Sequence, residues 1–147
     1  MNLGNICFLN KPSIQEMGDL PYLEVKYLRN QIPAKLIDKG MFIESGSNII
    51  LVDGENSGEV FKTNENGYMG STFMQLIIPQ HINPNYVKYF INSKKSMLKN
   101  NKKGSAIPHL NKELFKILNI YLPSINEQNK IVLKLDNFNN LISMIKA

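Results

Sequence analysis

Residues 104–132 read GSAIPHLNKELFKILNIYLPSINEQNKIV, and the rest of the chain is organised around them. A basic loop leads to Asn111, placed to cap a short helix over Lys112–Leu118, and Asn119–Leu122 returns as a strand that ends at Pro123. A long helix then starts sharply. Ser124-Ile125-Asn126-Glu127 has the capping-box pattern, in which Ser124 accepts from the Glu127 N–H and the Glu127 carboxylate accepts from the Ser124 N–H. Pro123 discourages any helix arriving from upstream. Beyond this start Ile131, Leu135, Phe138, Ile142 and Ile145 recur at spacings of four, three, four and three, the seam of a coiled coil. With that periodicity still running at Ala147, Ser124–Ala147 reads as an arm expecting a partner; a helix lying on its own domain is the competing reading.

Around this stretch lies one ordinary domain. The chain has 147 residues, and 43% of them are hydrophobic, enough for a real core rather than a disordered segment. Neither a membrane span nor a signal peptide is legible, and the single cysteine, Cys7, reads as a small core residue. These features suggest a cytoplasmic protein.

The net charge of +5 conceals an asymmetry. Glu44, Asp53, Glu55, Glu59 and Glu65 face only Lys62 between Met41 and Asn66. From Tyr86 to Lys112 there are seven lysines and no acid. Such imbalance bears on partners more than on fold.

The N-terminal part is β-rich. LGNICFL, LPYLEVKYL and SNIILVD are separated by turn chemistry at Asn10-Lys11-Pro12, residues 30–33 and residues 44–47. Four consecutive apolar residues, Ile49 to Val52, predict a strand buried on both faces within Asn48–Asp53. A glycine turn, Asp53–Gly58, precedes a short strand Glu59–Phe61; Gly67–Ser71 reads as a second turn before a strand over Thr72–Pro79. Asn83-Pro84 then opens a helix, with asparagine as N-cap and proline at the first helical position. Val87, Phe90, Ile91 and Leu98 form its inner face. Lys88, Lys95, Lys99 and Lys102 fall within a stripe about 60° wide if that helix continues, each residue turning roughly 100°. With no carboxylate interleaved, the stripe reads as a phosphate-facing surface, against the alternative of a solvated face.

Three possible chemical motifs are set aside. Asn83-Pro84-Asn85-Tyr86 resembles the base-holding motif of DNA amino-methyltransferases, but no glycine-rich cofactor loop precedes it and a helix cap explains all four residues. Glu24-Val25-Lys26 has the acid–x–lysine form of metal-dependent nucleases without the second well-placed carboxylate; an alternating strand accounts for it. His81 and His109 lie at no metal spacing. His109 is suited either to a phosphate or base edge or to a structural hydrogen bond. No nucleophile–base pair can be assembled, so the chain reads as non-catalytic.

Pro108, His109, Leu110, Lys112, Leu114, Phe115, Ile120, Leu122, Pro123, Glu127, Gln128, Ile131 and Val132 together resemble the end of a target-recognition domain and the start of the conserved helix in specificity subunits of type I restriction–modification enzymes. ILVDGENSGEVF and GYMGSTFMQL are similar to the strand–glycine loop–strand units of the same domains. The resemblance implies an α+β fold, with a β-rich target-recognition domain over 1–123 followed by a coiled-coil-type helix over 124–147. It further implies sequence-specific recognition of double-stranded DNA as about half of a specificity subunit. A methyltransferase subunit would supply S-adenosylmethionine and base flipping, a restriction subunit would supply cleavage with ATP and magnesium, and this chain would need no cofactor. A second recognition unit would join through the helix seam. On this reading Lys88, Lys95, Lys99, Lys102 and Lys103 hold phosphates, while Asn56, Ser57, Tyr68, Ser71, Ser105, His109 and Arg29 are candidates for the bases. The alternative function is a half-length scaffold or regulator that binds the methyltransferase or a full subunit without reading DNA.

Overall fold

The computed structural model describes residues 1–100 and 107–146. Its strands are β1 (Phe8–Asn10), β2 (Ile14–Gln15), β3 (Leu20–Leu23), β4 (Leu36–Ile37), β5 (Gly40–Ile43), β6 (Asn48–Leu51), β7 (Val60–Lys62), β8 (Gly67–Met69), β9 (Phe73–Ile77), β10 (Lys99–Asn100) and β11 (His109–Leu110). Its helices are α1 (Val25–Leu28), α2 (Pro84–Ser93), α3 (Lys95–Leu98), α4 (Lys112–Ile117) and α5 (Ile125–Lys146), after a 3₁₀ turn at Leu3–Asn5.

Two sheets meet at β6. One has the order β1-β9-β6-β7 and is antiparallel throughout. The other has the order β2-β5-β8-β3-β4, where only β3–β8 is parallel; β10 and β11 form a small ribbon. β6 divides its side chains as a period-two strand must. Ile49 and Leu51 join Leu23, Ile43, Met69 and Phe73 in a core shared with the second sheet. Ile50 and Val52 join Leu3, Val87, Ile91, Leu98, Phe115 and Ile120 beneath the helices. The expected strand buried on both faces is therefore present, and it separates two cores.

Gly67–Met69 is a strand, not the expected turn. The glycines there permit close packing: a Cβ on Gly67 would lie 2.7 Å from Leu23 Cγ and 2.8 Å from the Pro21 carbonyl oxygen. Positive φ is used instead at Gly54 (110°) and Gly58 (99°), inside the first glycine loop. The strand expected through Glu24-Val25-Lys26 also differs, because β3 ends at Leu23 and Val25 opens the single turn α1. Asn119–Leu122 forms no regular strand. It is held against the N-terminus by an Asn2–Asn119 bridge and by Ile120 N–H donating to the Met1 carbonyl (2.8 Å).

The caps follow the sequence. Asn83 Oδ1 accepts from Asn85 N–H (2.9 Å) with Pro84 next, and Asn111 Oδ1 accepts from Leu114 N–H (3.1 Å). Ser124 Oγ accepts from Glu127 N–H (3.3 Å), but the Glu127 carboxylate turns to Lys130 (3.6 Å), so half of the capping box forms.

α5 partly lies on the domain and partly leaves it. Gln128 is buried, with Oε1 accepting from Asn83 N–H (3.0 Å) and Nε2 donating to the Pro123 carbonyl (2.8 Å). Val132 is buried beside it, and further along Tyr89 of α2 bonds Asp136 and Asn139. The Asp136 hydrogen bond raises the Tyr89 pKa above its ordinary value, with desolvation adding to it. Of the expected seam, Ile131, Leu135 and Ile142 are half-buried while Phe138 and Ile145 are exposed. Among the described residues no helix is long and apolar enough to cross a membrane.

Candidate nucleic-acid interface

The lysine stripe is not one helix face. α2 ends at Ser93; Lys94 has φ −106° and ψ 6°, and Lys95 opens the separate turn α3 before Lys99 enters β10. Spacing computed along a continuous helix therefore loses its meaning after Lys94. Lys102, Lys103 and Ser105 lie outside the described residues.

Tertiary folding also supplies the carboxylates that the local sequence lacks. Lys95 Nζ lies 3.9 Å from Glu59 and Lys99 Nζ lies 3.0 Å from Glu55, both acids coming from the glycine loop and its end. Arg29 Nη2 also bonds Glu59, and its guanidinium lies 5.9 Å from the centre of the Phe61 ring. Lys88 lines a cleft of about 630 Å³ between α2, β7 and α5, and Glu59 lines it as well. Glu59 is thus the acid that Arg29 and Lys95 share. The acidic and basic halves of the sequence meet here and partly neutralise one another.

A second group forms at the end of β6. Val52 N–H donates to the Thr72 carbonyl (2.9 Å) and Gly54 N–H to the Pro108 carbonyl (2.9 Å). These bonds draw together the glycine loop, the turn before β9 and the segment entering β11. Asn56, Ser71 and His109 are exposed on them. His109 Nδ1 lies 2.7 Å from Asp53 Oδ1, and both side chains border a groove of about 590 Å³ with Thr72, Ile107 and Pro108. Ser71 borders a neighbouring groove of about 610 Å³ that also holds Lys11 and Lys39.

Two expected base readers are buried. Ser57 is fully buried and its Oγ donates to the Gly54 carbonyl (2.6 Å), closing the glycine turn. Tyr68 is fully buried in the second sheet, where its hydroxyl accepts from Met17 N–H (2.8 Å) and contacts the carbonyls of Gly18 (2.6 Å) and Asp38 (3.1 Å). Both are corrections with one cause: a hydroxyl beside glycines reads as a loop donor, yet these satisfy buried backbone groups. Sequence reasoning missed Lys11, Lys39, Asp53, Glu59 and Thr72. Lys11 had a signal in its Asn-Lys-Pro turn; Asp53 and Glu59 gain their roles from partners remote in sequence.

The family model described as type I restriction modification DNA specificity domain matches residues 2–147. The chain belongs to this family. It is similar to the type I restriction enzyme MjaVIII specificity subunit of Methanocaldococcus jannaschii, with 36% identity over 132 residues, covering 87% of this chain and 31% of that protein. Among solved structures it matches the HsdS subunit from Thermoanaerobacter tengcongensis (TM-score 0.70, 18% identity, 99% of this chain and 38% of that one). It likewise matches the type I restriction–modification S subunit from M. genitalium (TM-score 0.65, 19% identity, 99% and 41%). At such identities these structures support the α+β fold with its long C-terminal helix. The chain spans less than half the length of each of these relatives. Membership of a DNA specificity family favours the recognition reading over the scaffold reading.

Proposed function

We propose that this specificity-family chain recognises double-stranded DNA in a sequence-specific way, performs no catalysis, and directs a methyltransferase and a restriction subunit to the DNA. In this proposal residues 1–123 are the recognition domain and 124–147 the spacer and dimerisation helix. S-adenosylmethionine, ATP and magnesium belong to the partner subunits. One observation carries the proposal: three loops tied together at the end of β6 present exposed polar side chains beside a cationic flank. Cations there suit phosphates, which are alike in every sequence, whereas Asn56, Ser71 and His109 combine donors and acceptors suited to base edges. Arg29, expected among the base readers, is tethered through Glu59 and joins the phosphate-holding group in this proposal. Asn56 and Ser71 stand on turns and His109 at the exposed start of the two-residue strand β11, so their identity can change without disturbing either core.

The helix part of the proposal rests on the apolar strip that α5 leaves uncovered. Phe138 and Ile145 of the seam are each more than half exposed (59% and 76%), and Leu141 at its edge is 54% exposed. A second recognition unit with the same strip would cover it.

The test is a gel-shift of the chain against a pool of duplexes with randomised centres, with and without a methyltransferase subunit. Enrichment of a defined motif is the expected result. Equal retention of all sequences, or no retention with either preparation, refutes sequence-specific recognition.

A further inference from the structure

We infer that Asp53 and His109 act as one base-reading unit, in which Asp53 fixes the imidazole so that His109 selects a base carrying an exocyclic amino group. The inference rests on the DNA-recognition proposal and adds to it a chemical preference and a positioning residue.

Backbone geometry comes first. Leu110 N–H donates to the Val52 carbonyl (2.9 Å) and Gly54 N–H to the Pro108 carbonyl (2.9 Å), while Asp53 and His109 face each other in an antiparallel bridge. This is the non-hydrogen-bonded kind of antiparallel pair, the one whose side chains lie closer. Two backbone hydrogen bonds already hold the segments together, so the side-chain pair is not required to join them. What the pair adds is orientation of the imidazole, with Asp53 Oδ1 2.7 Å from Nδ1.

Proton placement follows from the carboxylate. An ionised Asp only accepts, so the 2.7 Å contact requires the proton on Nδ1. In the neutral imidazole the lone pair then lies on Nε2. Among the described residues no hydrogen bond engages Nε2, and the His109 side chain is 50% exposed. In that neutral form it offers a fixed acceptor at a groove walled by Thr72, Ile107 and Pro108. The same second-partner logic fixes the tautomer of metal-binding histidines.

In the major groove adenine N6 and cytosine N4 offer donors, whereas guanine O6 and thymine O4 are acceptors. A fixed Nε2 acceptor favours the first two and leaves its lone pair facing another acceptor with the others. This behaviour differs in kind from that of Lys95 or Lys99, whose ammonium groups favour any phosphate.

The experiment first enriches a motif from the randomised duplex pool with the full chain. Binding is then compared for duplexes differing at each enriched position, using wild type, His109→Ala, Asp53→Ala and Asp53→Asn. Wild type should prefer adenine or cytosine at one position by about 5- to 150-fold, the equivalent of about 1–3 kcal/mol for a mismatched base pair. His109→Ala and Asp53→Ala should bring that position near parity, with binding to an unrelated duplex changing less than about twofold. Asp53→Asn retains an acceptor oxygen for Nδ1–H and should restore the preference. Nitrogen-15 spectra of the imidazole at pH 8 should show the Nδ1–H form in wild type and the Nε2–H form, favoured by free histidine side chains, in Asp53→Ala. An unchanged motif in all variants overturns the inference. So does an equal loss for every sequence with a shallower salt dependence, which marks a phosphate contact, or an Nε2–H imidazole in wild type. If wild type enriches no motif, the DNA-recognition proposal itself fails, and this inference with it.

Discussion

Glu59→Gln should tighten the binding of any duplex, and the structure sets how much. Glu59 accepts from Arg29 Nη2 and lies 3.9 Å from Lys95 Nζ, so one carboxylate restrains two cations. Both cations have reason to stay where they are without it: Arg29 lies over the Phe61 ring, and the Lys95 stem packs on Gly58, where an added Cβ would be 3.3 Å from Lys95 Cγ. Each phosphate neutralised contributes about −0.9 to the slope of log K against log salt. Freeing one net cation should therefore steepen the slope by up to about 0.9, and tighten binding about eightfold at 0.1 M salt but only about twofold at 0.5 M. The stability cost is small, because these side chains are about a third exposed and such pairs contribute about 0–1 kcal/mol. Fluorescence anisotropy of a labelled random duplex across a salt series measures affinity and slope together, while a thermal melt checks the fold. An unchanged slope with an unchanged melt would refute the idea that this cationic flank faces DNA.

The complementary change, Lys95→Ala with Lys99→Ala, should weaken cognate and random duplexes alike and flatten the same slope by up to about two contacts' worth; a loss confined to the cognate site would contradict a phosphate role. Tyr68→Phe should lower stability by about 1–3 kcal/mol, because Met17 N–H and the Gly18 carbonyl lose their partner, yet leave duplex affinity unchanged well below the melt. Phe138→Asp should abolish concentration-dependent self-association in sedimentation and leave the melting temperature of the dilute monomer unchanged; Leu135 is half-buried and would confound that test. Burial pushes the Cys7 thiol up to about 12 from 9.0, so it should resist alkylation at pH 8 until the chain unfolds. The folded state holds that proton more tightly than the unfolded state, so this contribution to stability is complete below pH 9 and declines as pH rises toward 12. Denaturant melts between those values measure the slope, and stability independent of pH there would contradict the burial argument.

Local chemistry made much of the molecule legible from sequence. Asn83-Pro84 and Asn111 cap their helices, Ser124 starts α5, and the Ile49–Val52 run lies between two cores, because each depends on neighbours within a few residues. The family was legible as well, in the stretch from Pro108 to Val132. Tertiary structure decided whatever depends on remote partners. Whether Gly67 turns the chain or packs against Leu23 depends on a strand 44 residues earlier, by subtraction of their sequence numbers. Whether Tyr68 reaches solvent depends on the backbone of Met17 and Gly18. Whether Lys95 and Lys99 are unaccompanied cations depends on the loop that returns Glu55 and Glu59 beside them. Helical capping is a property of short sequence, whereas charge pairing and burial are properties of position in space, fixed only once two sheets and their loops have closed around β6.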